Sequence, residues 1–177
     1  IWTLNEDWFT AVSVGAGDGA AYLPRYRVDG FVNRKLLASR QWVATLGAGY
    51  YRAPDGHIDR NISLGSTYYF ESPWVVQAEV RFNNSSPGQV RTHQQFVAAT
   101  WGRAKQTQVI ARHGWGAEGY QAIGGGASLV NFDSRQSQLT LRQWVGPQWG
   151  FTAGVERYSN PFYDRNGARL SLFWELP

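Results

Sequence analysis

Residues 74–82 read Trp-Val-Val-Gln-Ala-Glu-Val-Arg-Phe. Trp74, Val76, Ala78, Val80 and Phe82 are apolar, and Gln77, Glu79 and Arg81 stand between them. Successive side chains of a strand point to opposite faces, so this stretch makes one greasy face and one charged face. An aromatic closes the greasy face at each end. The same design recurs about eleven times along the chain, the period-two signature of half-apolar strands. A closed antiparallel barrel in an outer membrane requires that design, with lipid outside, polar side chains inside and aromatics at the two interfaces.

The alternation predicts strands at residues 8–16, 22–34, 41–52, 58–70, 74–82, 92–102, 105–115, 126–132, 136–145, 149–158 and 168–176. Residues 1–4 read as the tail of a further strand. Turn chemistry sits at 5–7, 17–19, 54–56, 71–73 and 146–147, with loops at 83–89, 116–125 and 159–166. The expected fold is all-β, an antiparallel up-and-down transmembrane β-barrel of about 12 strands, or 10, because single-chain bacterial barrels have even counts. No linker divides the chain, so 1–177 reads as a single outer-membrane barrel domain.

Composition narrows the class. Hydrophobic residues reach 43%, which excludes a disordered chain. No apolar run approaches the length of a transmembrane helix. Cysteine is absent, so thiol and disulfide chemistry are excluded. The net charge is +4, and fifteen of the 17 basic residues are Arg, which suits pairing inside a lumen or contact with carboxylate and phosphate. No signal peptide is visible at Ile1, and the chain is expected to be mature or cut from something longer.

Periodicity alone does not say which face points inward. A soluble sandwich or lipocalin-like barrel would bury the apolar face. Three features favour the membrane. Trp8, Trp42, Trp74, Trp101, Trp149 and Trp174 fall toward strand ends on the greasy face, the pattern of interfacial belts. The other face carries Gly, Ser, Thr and Gln with charges of both signs: Arg25, Arg27, Asp29, Glu79, Arg81, Arg112, Arg142, Glu156, Arg169 and Glu175. Residues 172–176 end the chain in an aromatic and leucine strand. Lys, the usual guard of exposed soluble strands, is nearly absent.

No catalytic constellation is evident. His57, His93 and His113 lack metal spacing and follow no nucleophile motif, and lone histidines are mostly structural. Glu79 with Arg81 and Arg27 with Asp29 could do acid–base work but read better as lumen lining. Gly124-Gly125-Gly126 lacks the lysine and the strand–helix setting of a phosphate loop. The charges are spread over every strand, which argues against nucleic acid. Tyr158, Asn160, Phe162, Tyr163 and Asp164 form the most individual loop, suited to sugar stacking, to a partner surface, or to packing over the barrel mouth.

Residues 138–145 (Gln-Leu-Thr-Leu-Arg-Gln-Trp-Val), 149–156 (Trp-Gly-Phe-Thr-Ala-Gly-Val-Glu) and 158–165 (Tyr-Ser-Asn-Pro-Phe-Tyr-Asp-Arg) resemble the end of YaiO-like outer-membrane barrels. The whole chain more closely resembles the C-terminal domain of the bacteriophage adsorption protein A (NfrA) family. The resemblance implies a barrel following a periplasmic helical-repeat region, with roles in exopolysaccharide secretion and phage adsorption, and it offers no catalytic motif. The expected partners are outer-membrane lipid, an exported polysaccharide, a phage adhesin and the upstream repeats, with no metal or cofactor. Two alternatives stay open: an outer-membrane lipid or glycan hydrolase, and a soluble sugar-binding β-domain.

Overall fold

The computed structural model describes residues 1–18, 23–124 and 127–175. Eleven antiparallel strands follow one another in one sheet in strict sequence order. They are β1 (Trp2–Thr3), β2 (Trp8–Ala16), β3 (Tyr26–Leu36), β4 (Trp42–Arg52), β5 (Ile58–Tyr69), β6 (Trp74–Ser86), β7 (Val90–Gly102), β8 (Thr107–Gly124), β9 (Ala127–Trp144), β10 (Trp149–Ser159) and β11 (Asp164–Trp174). No helix occurs among the described residues. The fold is of the expected all-β, antiparallel up-and-down class; among the described residues its edge strands β1 and β11 do not pair, so the sheet is open where the alternation predicts a closed barrel.

The count is eleven because the segments expected at 126–132 and 136–145 are one strand, β9. Its partner β8 runs through most of the expected loop at 116–125. The pair continues in register from Thr107↔Gln143 to Ala122↔Ser128, before a shift at Gly124. Backbone pairing sustains this hairpin where the greasy stripe has ended. Likewise β6 reaches Ser86 and β11 begins at Asp164, so the loops expected at 83–89 and 159–166 shrink to the residues between those strands. Tyr22, Gly125, Gly126 and Leu176, which the sequence reading placed in strands or the Gly run, lie outside the described residues.

The two faces are inverted relative to a water-soluble sheet. Leu46, Leu64, Leu170 and Leu172 are 53%, 54%, 76% and 78% exposed, whereas Ser63, Ser85 and Asp29 are 1%, 3% and 8% exposed. Each aliphatic side chain left in water forgoes roughly 1.5–3 kcal/mol of burial, so a face of this kind needs hydrocarbon against it. On the polar face, side chains of next-but-one strands meet. Tyr158 on β10 donates to Glu118 on β8 at 2.8 Å, and Arg169 on β11 donates to Thr140 on β9 at 2.9 Å. Such contacts place the polar side on the concave surface.

Trp8, Trp42, Trp74, Trp101, Trp149 and Trp174 all lie at one end of the sheet, beside the tight turns that follow β1, β3, β5, β7 and β9. Trp74 pairs with Trp101, and Trp149 pairs with Trp174 with stacked rings 6.4 Å apart. Trp42 faces Tyr68 across β4 and β5. At the other end the same face carries Tyr26 stacked on Tyr50, 5.9 Å apart, with Phe82 and His93 opposite each other. Trp42 to Tyr50, Trp74 to Phe82 and Trp101 back to His93 are eight residue steps each. Eight steps make about 27 Å of strand, and a tilt of about 40° turns that into roughly 20 Å of height, near the usual apolar band of a membrane barrel.

Candidate functional site

The concave face is a lattice of polar side chains fixed by strand parity and register. On β8 to β11 one row across the strands is Arg112, Gln138, Glu156 and Gly167, and the next is Ile110, Thr140, Gly154 and Arg169. Glycine opposite a long polar group is a steric need here. A Cβ on Gly167 would lie 2.9 Å from Glu156 Cγ, and one on Gly154 would lie 3.0 Å from Arg169 Nε. Small residues therefore let the long ones lie along the wall.

The residues expected to line the wall fall into two electrostatic groups. On the β3–β6 side the charges neutralise each other. Arg27 Nε pairs with Asp29 at 2.5 Å, and Arg81 Nη2 pairs with Glu79 at 2.8 Å. On the β8–β11 side three arginines rest on neutral or aromatic groups. The Arg112 guanidinium stacks 3.9 Å over Phe96. The Arg142 guanidinium lies 4.4 Å from the Trp144 ring and 4.2 Å from the Phe173 ring, with Glu175 only at 3.9 Å. Arg169 bonds Thr140, and its two terminal nitrogens lie 2.8 and 3.0 Å from the Gln138 amide, which accepts from both when its oxygen is turned toward them. Glu156 is engaged by Arg165 at 3.5 Å and Gln136 at 3.4 Å. Among the described residues the buried Nε atoms of Arg81 and Arg142 find no acceptor.

A cavity of ≈160 Å³ opens on this wall between Glu79, Arg81, Phe96, Arg112, Gln136 and Tyr158. It combines an aromatic face, guanidinium donors, an amide and carboxylates. That set can stack on a ring and bond hydroxyl or carboxylate groups. Arg25 is not part of the wall. It precedes β3, is exposed, and its backbone N–H bonds the Arg52 carbonyl at 2.8 Å. Glu118 belongs here too, at a position where the alternation alone predicts a loop. Its even spacing from Arg112 was the available signal. Phe173 was also missed as a partner of Arg142, since only the β9–β10–β11 register brings the two together.

The residues expected at the mouth form a self-packed turn. Asn160 Oδ1 accepts the backbone N–H groups of Phe162 and Tyr163 at 2.8 and 2.9 Å. Tyr158, buried on β10, receives a bond from Asn160 Nδ2 at 3.3 Å and packs against Tyr163. Phe162 is 61% exposed, yet its ring meets Phe132 edge-on at 5.9 Å. Asp164 opens β11, 3.7 Å from Arg157.

The three histidines lie apart. His57 pairs with Asp55 at 2.7 Å in the β4–β5 turn, and His93 sits on the outer face of β7. His113 Nδ1 is 2.9 Å from Ser137 Oγ on the outer face, with Trp115 stacked beside it. Ser137 pairs in register with His113 on one side and Arg157 on the other, so its backbone belongs to the sheet ladder rather than to an oxyanion site. Among the described residues no group of three metal-ligating side chains occurs.

Comparison with known proteins yields one family. The model of the YaiO membrane beta barrel domain matches residues 2–121. This segment covers β1 to most of β8, whereas the resemblance read from the sequence rested on residues 138–165. No curated protein matches the chain.

Proposed function

Because the chain belongs to the YaiO membrane beta barrel domain family, we propose that it serves in the bacterial outer membrane as a conduit or anchor for an exported polysaccharide. Its loop end, with Tyr158 to Asp164, offers a surface that a phage adhesin can use. In the same reading the chain is the barrel domain of a longer protein akin to bacteriophage adsorption protein A, with a periplasmic helical-repeat region upstream. The protein acts by binding and passage and carries out no chemistry.

The observation that carries this reading is the inner wall on β8 to β11. Arg112 and Arg169 are held by an aromatic ring and neutral acceptors, and Arg142 by two rings with Glu175 no nearer than 3.9 Å, so most of their charge is left for a hydroxyl-rich or anionic chain. Multiple weak contacts along a wall favour sliding over tight capture.

Planar-bilayer recordings of the refolded chain test it. We expect a conductance that favours anions, and Arg142→Glu should reduce or reverse that preference. Arg81→Glu should also lower it, because it turns the neutral Arg81–Glu79 pair into two neighbouring carboxylates. Absence of conductance in every form would leave only the anchor role. The hydrolase alternative would need loss of a measured lipid or glycan hydrolysis on changing His57, His93 or His113 to Ala.

A further inference from the structure

The two ends of the outer face differ in chemistry. One carries the tryptophans. The other carries outward arginines, among them Arg60 on β5 and Arg91 on β7, both exposed. These two are in one row, flanking Asn84 of β6: Arg60 pairs with Asn84, and Asn84 pairs with Arg91. Strands two apart put the two arginines about 10 Å apart at the backbone. Both guanidinium groups can therefore reach one group lying over Asn84. The next row toward the apolar band is Ile62, Phe82 and His93, and Ile62 and Phe82 are 58% and 54% exposed. Together they border an outward hollow of ≈420 Å³.

On the concave face, Arg27 and Arg81 have carboxylate partners. Among the described residues neither Arg60 nor Arg91 forms an ion pair, and Arg60 has only the Tyr50 ring at 6.0 Å. Two unneutralised cations at the edge of an apolar band call for an anion at headgroup height. A second hollow of ≈680 Å³ on β7 to β10 sets apolar Val97, Ala111, Leu139 and Val155 next to His113 and Arg157, but there Arg157 already has Asp164 at 3.7 Å. This end also carries the longest hairpin, β8–β9, while the tryptophan end has tight turns throughout. That asymmetry points this end outward.

We propose that the rim is a docking site for a phosphate-bearing lipid of the outer leaflet, with its phosphate between Arg60 and Arg91 and an acyl chain along Ile62 and Phe82. Charge complementarity and the apolar hollow directly beneath the arginines select such a lipid over a soluble anion. The proposal rests on the membrane barrel and this orientation and is independent of what the lumen carries.

Native mass spectrometry of the refolded full chain in detergent, with diphosphorylated lipid A as probe, tests it. The unmodified chain should hold this lipid and bind its dephosphorylated form far more weakly. R60Q/R91Q should weaken binding at least about tenfold, the loss expected when charge-assisted bonds to one phosphate are removed. R60K/R91K should recover part of it, and Arg103→Gln, in the turn after β7 at the opposite end of the sheet, should leave lipid binding unchanged. Heat-dependent gel mobility establishes that each variant is folded. Equal binding of the dephosphorylated lipid, unaltered binding by folded R60Q/R91Q, or full displacement by inorganic phosphate at matched concentration would each overturn the assignment. Conductance is read separately, so a sealed pore would leave this result standing.

Discussion

Arg81 and Glu79 stand two residues apart on one strand, and only Arg81→Ala would leave Glu79 a carboxylate without its partner, in a side chain 17% exposed. The cost of stranding a largely buried charge exceeds the net worth of the pair. Arg81→Ala should therefore lower stability by about 2–3 kcal/mol, while the joint change Glu79→Gln with Arg81→Gln should cost less than about 1 kcal/mol. Urea unfolding in lipid vesicles, followed by tryptophan fluorescence, measures both. At the turn end of β11 a second charge is tuned by a neighbour. The Lys105 ammonium, 2.7 Å from Glu175, holds that carboxyl below the ordinary glutamate range, against a smaller opposing effect of desolvation. A lowered value means that the pair stabilises the fold above the unfolded pKa and that this contribution is lost as pH falls through the folded one. An NMR titration should place the Glu175 midpoint below that of an unperturbed glutamate, and Lys105→Ala should raise it.

The individual strand is where the sequence is most legible, and where its legibility stops can be stated physically. Between the rims lipid demands an apolar residue at every second position, so Trp74 to Phe82 declares its two faces outright. Beyond the rims no hydrocarbon enforces the pattern. Residues 116–119 read Gly-Ala-Glu-Gly, and Asn131 takes a left-handed backbone, φ 51°, so the long β8–β9 hairpin looks like loop from sequence. Arg27 with Asp29 and Arg81 with Glu79 were visible as same-face neighbours. The cradle of Arg142 was not, because Phe173 arrives from two strands away. Arg25 dropped out because it precedes the first paired residue of β3. Placing a charge on the stripe tests the face assignment. Leu46→Arg, mid-band on β4, should cost about 2–4 kcal/mol in a bilayer, and a basic residue near a rim should cost about 0–1. Equal costs at both depths, measured by the same unfolding assay, would contradict a lipid-facing stripe. The six tryptophans should also be quenched by lipids brominated near the headgroup more than by lipids brominated at the tail ends.

For the molecule as a whole, the sheet is an ordered ribbon with two outer edges. Among the described residues β11 pairs only with β10, and β2 meets β1 only through Trp2↔Thr10 and Thr3↔Phe9. Paired backbone along every inner strand satisfies the polar groups that hydrocarbon would leave bare. The even spacing of the two aromatic levels also has a consequence for sorting. A barrel whose wettable ends lie about 20 Å apart is mismatched to a thick, long-chain bilayer and matched to a thin one. Refolding yield should thus be highest in didecanoyl or dilauroyl phosphatidylcholine and fall in dioleoyl vesicles. Membrane thickness would then bias such a chain toward the thinner of the two membranes in a bacterial envelope.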